Sequence, residues 1–269
     1  MKKYAYYHLY LTDDIAAWSL YLLDNHKKME DSGLLDELEK IHLVVIGNPR
    51  NIHTAWRLSV GLSDKYVFNA FEHNIDDSEM VIAHNKVLNK NDNHITENVT
   101  LKKLYDHACR EDAYFLYNHS KGITTFQKYL KDDIYPIHID YFINNYYWKE
   151  FLSWGVIDKW RECVDVLDNF YDTVAANYST GPEPHYSGNI WWSKSSHIRN
   201  LPDPSLNDWW YDIQSKSDDL FIQNASIRFK DEMWVCSKKD TNSYNMMNLE
   251  PKLGSAYLFQ VRAPKKLYA

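Results

Sequence analysis

Short apolar runs and longer amphipathic stretches alternate along the first half of the chain. The runs predict buried strands at residues 4–11, 41–46, 66–71 and 114–118. Between them, apolar residues at helical spacing predict a helix from the Thr12 start signal to the break at Ser32, a short helix at 34–38, and helices at 52–61 and 97–109. This alternation predicts an α/β fold with a mostly parallel, Rossmann-like central sheet flanked by helices.

The second half of the chain has a less regular pattern. Residues 123–135 predict a loop, 136–167 a helical stretch broken near 153–155, and 171–177 a strand. Helical spacing returns at 218–229, and the apolar run 233–236 predicts a last short strand. Since the sequence has neither an internal repeat nor a clear linker, we expect one domain over residues 1–236 and a C-terminal extension, 237–269, packed on it.

Composition narrows the class of protein. The chain has 269 residues, a net charge of −7 and 45% hydrophobic residues, which is typical of a soluble protein with a substantial core. An acidic balance argues against a nucleic-acid partner. The three cysteines, Cys109, Cys163 and Cys236, form no C-x-x-C pair, so we expect reduced thiols and a cytoplasmic location. No run of 18 apolar residues predicts a membrane span.

The predicted strand at 114–118 runs directly into a polar cluster, which comprises Asn118, His119, Ser120, Lys121 and Gly122. Ligands of open α/β sheets bind at the carboxyl ends of strands. A lysine ammonium, two further side-chain donors and the backbone around a glycine suit a diphosphate group. The alternative is a turn whose polar residues cap a helix or face water.

A second motif, at residues 185–192, reads His-Tyr-Ser-Gly-Asn-Ile-Trp-Trp. Its glycine indicates a tight bend or a close approach of the backbone. Adjacent tryptophans on a strand point to opposite faces, so we expect one ring in the core and the other along a cleft. The candidate binding residues here are His185, Tyr186, Ser187, Asn189, Trp191 and Trp192. A purely structural turn is the competing interpretation.

Carboxylates that could act as a general base are numerous. The candidates are Asp112, Asp172, Glu183, Asp208, Asp219, Asp231 and Glu232. We favour Glu232, because it directly precedes the predicted strand at 233–236, and place Asp208 second. The 12 histidines include no H-E-x-x-H motif and no pair with metal-ligand spacing, so only their number suggests a metal hydrolase.

With both motifs present in this order, the chain resembles small glycosyltransferase-like proteins of bacteria and large viruses, which have the GT-A fold. The resemblance covers residues 30–236. It rests on residues 32–34, 44–47, Glu97, Thr100, Leu101, 114–122, Trp148, Trp160, 185–192, Ile198, Leu201, Pro202, Glu232 and Trp234.

The resemblance implies transfer of a sugar from a nucleotide-sugar donor to a hydroxyl group of a glycan or other acceptor. It implies that the first strands hold the nucleotide, that Thr12 and residues 119–122 lie at the donor and its diphosphate, and that residues 185–192 shape the acceptor side.

One feature of that family is missing from the chain, which contains no Asp-x-Asp motif for the divalent ion, Mn²⁺ or Mg²⁺. Either Lys121 supplies part of the missing positive charge, or His119 and His185 hold a metal. We favour Lys121, because neutral imidazoles are poor ligands for hard cations. The missing motif leaves open a catalytically degraded protein of the same fold that binds glycans through Trp191, Trp192 and nearby tyrosines. A metal-dependent hydrolase is a third hypothesis, which rests only on the abundance of histidine.

Overall fold

The centre of the fold is a seven-stranded sheet, seen in a computed structural model that describes residues 1–72, 97–120, 123, 137–225 and 227–246. Its strands are β1 (Lys2–Tyr10), β2 (Lys40–Gly47), β3 (Tyr66–Glu72), β4 (Ala113–His119), β5 (Thr173–Ala175), β8 (Trp191–Lys194) and β9 (Ser243–Asn245). Strands β6 (Tyr178–Ser179) and β7 (His185–Tyr186) form a separate hairpin.

The strand order is β3-β2-β1-β4-β8-β5-β9. Strand β1 runs parallel to β2 and β4, and β2 runs parallel to β3. Strand β8 is antiparallel to both β4 and β5, whereas β9 is parallel to β5. The expected α/β class with a mostly parallel central sheet is therefore confirmed.

Helices connect and cover these strands. They are α1 (Ile15–Asp31), α2 (Leu34–Glu37), α3 (Pro49–Leu62), α4 (Asn98–Ala108), α5 (Ile137–Ser153), α6 (Trp160–Asp168), α7 (Ser195–Ile198), α8 (Asp208–Lys216), α9 (Leu220–Gln223) and α10 (Arg228–Met233). A π-helical turn, Trp154–Asp158, separates α5 from α6 at the predicted break.

Alternation along β1 assigns side chains to the two faces of the sheet. Tyr7 and Leu9 pack in the cluster that contains Trp18 of α1. Tyr6 and His8 point to the opposite face, where the ring of His8 contacts Thr100 of α4. Successive side chains of a strand point to opposite faces, and in β1 both faces are covered by helices.

The predictions for the first half are confirmed within a few residues, but three in the second half need correction. Strand β5 is only Thr173–Ala175, and residues 218–229 include all of α9 but only the start of α10. Residues 233–236 do not form a strand: α10 ends at Met233, and a 3₁₀ turn follows at Trp234–Cys236. A buried apolar run of four residues is too short for its hydrophobic periodicity to distinguish a strand from the end of a helix. The predicted loop at 123–135 lies outside the described residues except for Ile123, which is buried.

The first part of the predicted C-terminal extension belongs to the sheet. Strand β9 pairs with β5, and the backbone N–H of Met246 donates to the carbonyl of Ala175 at 2.8 Å. The hydroxyl of Tyr186 donates to the carbonyl of Tyr244 at 3.0 Å. A boundary at residue 236 would therefore divide the sheet.

Across the described ranges, no helix is both long enough and apolar enough to cross a membrane.

Candidate functional site

Successive strands are added on one side of β1 as far as β3, and β4 is then added on the other side of β1. Helix α1 follows β1 on one face, and α4 precedes β4 on the other. In open α/β sheets the crevice for a ligand lies at such a switch point, outside the carboxyl ends of the strands. His119 and Ser120 lie there, directly beside the end of β1.

Two of the predicted donor residues have structural hydrogen bonds at this edge. The backbone N–H of Ser120 donates to the carbonyl of His8 at 3.0 Å, and its hydroxyl oxygen accepts from the N–H of Tyr10 at 3.1 Å. Thr12 is fully buried, and its hydroxyl donates to the carbonyl of Asp14 at 3.2 Å. Lys121 and Gly122, the other two residues of the predicted diphosphate site, lie outside the described residues.

His119 is held between two acceptors. Its Nδ1 lies 3.1 Å from Oε1 of Glu97, and its Nε2 lies 2.7 Å from the carbonyl oxygen of Gly188. His119 is the last residue of β4, Glu97 directly precedes α4, and Gly188 belongs to the second sequence motif. One imidazole therefore joins three segments that are far apart in the sequence.

Glu97 continues these contacts through its second oxygen. Oε2 accepts from the hydroxyl of Tyr117 at 2.8 Å and from the side-chain amide of Asn189 at 2.7 Å. The amide oxygen of Asn189 accepts from the indole N–H of Trp191 at 2.8 Å. The rings of Tyr117 and Trp191 are stacked with centroids 5.1 Å apart. We call these five residues, Glu97, Tyr117, His119, Asn189 and Trp191, the Glu97 network.

The environment of the Glu97 network favours an ionised carboxylate. Burial alone would raise the pKa of Glu97, but the charge and hydrogen bond of His119, with the hydrogen bond from the Tyr117 hydroxyl, outweigh it and hold that pKa far below its usual range. Burial raises the pKa of Tyr117 well above its ordinary value, and the carboxylates of Glu97, Asp231 and Glu232 raise it further.

The turn at residues 187–190 depends on left-handed backbone conformations. Gly188 has φ +101° and Asn189 has φ +49°. A Cβ on Gly188 would collide with the side chain of Leu152. Glycine is therefore required here both by the conformation and by the close approach of α5, which is what the sequence motif predicted.

The predicted acceptor residues have several partners within the protein. Trp191 and Trp192 are both fully buried, so the expectation that one ring lines a cleft is wrong. The indole of Trp192 donates to the carbonyl of Val156 at 2.7 Å, which supplies the partner that a buried indole needs. Tyr186 is also buried. In His185, Nδ1 lies 2.7 Å from the carbonyl oxygen of Glu183, and Nε2 lies 3.0 Å from the Ser187 hydroxyl.

The two base candidates lie in different environments. Glu232 is 9% exposed and sits on α10, beside Asp231, whose carbonyl oxygen is 3.3 Å from the Asn189 amide nitrogen. Asp208 is exposed at the first residue of α8. The structure thus brings Glu232 to the site and leaves Asp208 at the surface.

Glu97 and His8 are the residues that sequence reasoning did not assign to the site. In the sequence, Glu97 stands out only among the residues that carry the family resemblance, although the order β3-α4-β4 brings the start of α4 to the carboxyl edge of the sheet. His8 lies opposite His119 in the pairing of β1 with β4, and its Nδ1 is 2.8 Å from the Thr100 hydroxyl. Strand pairing is the information that the sequence pattern lacked.

The histidines give no support to the suggested metal site. His119 and His185 each have both ring nitrogens within hydrogen-bond distance of protein atoms. Among the residues that the structure describes, no group of three or more His, Cys, Asp or Glu side chains could hold a metal ion.

Fold and site together define an α/β protein with a buried carboxylate–imidazole network at the switch point of its sheet. A family model described as a domain of unknown function, DUF8361, matches residues 65–243, more than half of the chain, and the protein belongs to this family. No curated protein matches the sequence, and no solved structure does.

Proposed function

We propose that the protein is a cytoplasmic, GT-A-like glycosyltransferase, of the kind that moves a hexose from a nucleotide-sugar donor to a hydroxyl group of a glycan or other acceptor. The observation that carries this proposal is the meeting of its two sequence motifs. The predicted donor segment ends in His119, and the predicted acceptor segment turns at Gly188, 2.7 Å from that ring. Group transfer requires two substrates side by side, and much of the rate enhancement comes from holding them so.

Glu232 is the proposed general base. A carboxylate that takes the proton of the acceptor hydroxyl must lie near both substrates. Glu232 directly follows Asp231, whose carbonyl oxygen lies 3.3 Å from the amide nitrogen of Asn189 in the predicted acceptor segment. On the donor side, the leaving diphosphate needs positive charge, which we assign to Lys121 from the sequence, with a divalent cation as the alternative source.

A glycan-binding protein without transferase activity is the second candidate. The observation in its favour is that Thr12, His119 and Ser120 all make structural hydrogen bonds, which leaves the donor side fewer free groups. The burial of Trp191 and Trp192 counts against it, because the rings that would grip a sugar are in the core.

Replacement of Glu232 tests the proposed chemistry. We expect Glu232→Gln to lower the transfer rate by about a hundredfold or more, because general-base catalysis contributes about 10²–10⁴-fold. Affinity for the donor should not change. The measurement is transfer and donor hydrolysis with UDP-, GDP- and dTDP-sugars across a set of glycan acceptors, with calorimetry of each nucleotide-sugar.

Asp208→Asn is the matched control, since Asp208 is an exposed carboxylate at the first residue of α8. It should retain wild-type transfer. Equal loss in both variants would remove the assignment of Glu232. If the wild type binds glycans and has no affinity for any nucleotide-sugar, the protein is a glycan-binding protein and the transferase proposal is wrong. Equal donor affinity of the wild type and Lys121→Ala would remove Lys121 from the diphosphate site.

A further inference from the structure

We propose that Glu97 is a positioning residue that keeps His119 as an imidazolium and thereby fixes the turn at residues 187–190 against the end of β4. This inference rests on the proposed function, because it assigns the turn to the acceptor side of the transferase. It adds a role for a glutamate that neither sequence motif contains.

Hydrogen-bond geometry carries the argument. A neutral imidazole has one N–H donor and one acceptor nitrogen. Both ring nitrogens of His119 face oxygen acceptors, a carboxylate oxygen of Glu97 at 3.1 Å and the Gly188 carbonyl at 2.7 Å. A carbonyl oxygen cannot donate, so Nε2 must carry a proton. Nδ1 must carry one too, unless the carboxyl group of Glu97 is protonated instead.

The other partners of Glu97 decide between these two states. The Tyr117 hydroxyl and the Asn189 amide both donate to Oε2, and donors of this kind stabilise a carboxylate. Burial would raise the pKa of Glu97, but the charge and hydrogen bond of His119, with a smaller contribution from the Tyr117 hydroxyl, hold that pKa far below its usual range. An ionised Glu97 leaves both protons on His119.

Titratable groups from four elements surround Glu97 and His119. Glu97 comes from the start of α4, Tyr117 from β4 and His8 from β1. The carboxylates of Asp231 and Glu232 of α10 raise the pKa of Tyr117, after burial and Glu97. Burial lowers the pKa of His8 to about 4, so His8 stays neutral and adds no second positive charge.

The charge matters because it strengthens the bond that holds the turn. A hydrogen bond from an ionised donor is roughly twice as strong as one between neutral groups. The hydrogen bond from His119 to the Gly188 carbonyl connects β4 directly to the turn. A second hydrogen bond, from the side-chain amide of Asn189 to Glu97, connects the turn to the start of α4. A misplacement of about 1 Å at a substrate-positioning segment can cost about a hundredfold in rate.

Glu97→Gln removes the charge and preserves the shape. The glutamine oxygen can still accept from Tyr117 and Asn189, while its NH₂ group donates to a deprotonated Nδ1 of His119. We expect nitrogen NMR at pH 7 to show two protonated ring nitrogens of His119 in the wild type and one in the variant. The N–H exchange of Gly188 and Asn189 should accelerate. The acceptor kcat/KM should fall about tenfold or more, with the donor KM within about twofold.

Glu111→Gln is the matched control. Glu111 also pairs with a histidine, its Oε2 lying 3.0 Å from Nε2 of His107, but at the opposite end of α4. The Glu111→Gln variant should leave the nitrogen NMR signals of His119 and the rate of transfer unchanged. The inference is overturned if His119 has the same ring protonation in the wild type and Glu97→Gln, or if both variants lower transfer equally.

Two further outcomes are also decisive. If Glu97→Gln does not fold, Tyr117→Phe removes one donor to the carboxylate and should accelerate exchange in the turn; unchanged exchange would overturn the inference. If the wild type transfers no sugar, the proposed function fails, and the ring protonation of His119 with the exchange of the turn still decides the role of Glu97.

Discussion

His8 is a buried histidine whose protonation opposes folding. Burial lowers its pKa from 6.5 to about 4, while Glu97 acts to raise it and His119 to lower it. Because the unfolded chain binds a proton near pH 6.5 and the folded chain does not, the unfolded state gains free energy as the pH falls. The stabilisation is present above pH 6.5 and is lost progressively towards pH 4.

We therefore expect the free energy of unfolding to fall by about 3 kcal/mol from this residue as the pH drops from 6.5 to 4. His8→Gln cannot titrate, so its stability should change less over that interval. Urea unfolding at several pH values measures both slopes. His53→Gln, at an exposed position, should keep the wild-type slope. Equal slopes for His8→Gln and the wild type would contradict the assignment.

Gly188 is the residue at which a single methyl group should do most harm to the turn. Gly188→Ala must adopt φ +101° and displace Leu152, and each of these effects costs about 1–3 kcal/mol. We expect a fall in Tm of about 5 °C or more. The control is Gly61→Ala within α3, where an added Cβ meets nothing within 4 Å. Alanine there should raise stability by about 0.5–1 kcal/mol. A neutral result at Gly188 would mean that α5 can move away.

At the scale of elements, the sequence predicted the strands that consist of long apolar runs. Strands β1, β2 and β4 are long and almost wholly buried, and apolar runs identify such strands. The runs in the second half are only a few residues long, and Met233–Cys236 was misassigned because burial there serves tertiary contacts. Trp234, for example, donates to the carbonyl of Pro202 at 2.8 Å.

The candidate site was predictable as two separate motifs and not as one network. Motif residues His119 and Gly188 meet, but the contact depends on the pairing of β4 with β8 and on α4 bringing Glu97 to the same edge. Pairing between distant segments leaves no local pattern in a single sequence. The tryptophans show the same limit, since alternation predicted opposite faces correctly but not that both faces are covered.

Helix α10 shows how an element that carries the proposed base is anchored. Lys230 is 2% exposed, and its ammonium donates to the carbonyl of Pro204 at 2.6 Å and to the side-chain oxygen of Asn207 at 2.9 Å. A buried ammonium is tolerated only when its donors are satisfied. These hydrogen bonds offset the cost of burying Lys230 and hold α10 in place, and Asp231 and Glu232 follow directly in the same helix.

For the whole molecule, the family match and the folded unit have different limits. The DUF8361 match begins at residue 65, after β1 and β2. It includes Glu97, His119, Gly188 and Glu232, whereas the strand beside β4 at the switch point is β1. His8, whose partner in the pairing of β1 with β4 is His119, therefore lies beside the network although it precedes the match. The folded unit must include residues 2–47 as well as the matched region.

The same reasoning applies at the other end of the sheet and yields a test of the domain boundary. Strand β9 follows residue 236 and pairs with β5, and Tyr244 of this strand and Met246 directly after it pack against the main core cluster. A chain of residues 1–236 loses these contacts and the acceptor of the Tyr186 hydroxyl. A chain of residues 1–246 retains them, so the two differ only in this strand and the residues leading to it.

We expect the shorter chain to be less stable by on the order of 3 kcal/mol, since burying one large apolar side chain contributes about 1.5–3 kcal/mol. Urea unfolding of both chains measures the difference, and the loss should appear as a lower midpoint. Equal midpoints would mean that β9 adds nothing to the sheet and would restore the boundary at residue 236. A lower midpoint would make β9 an integral strand of the domain that positions the 185–192 motif, because Tyr186 at the start of that motif depends on it.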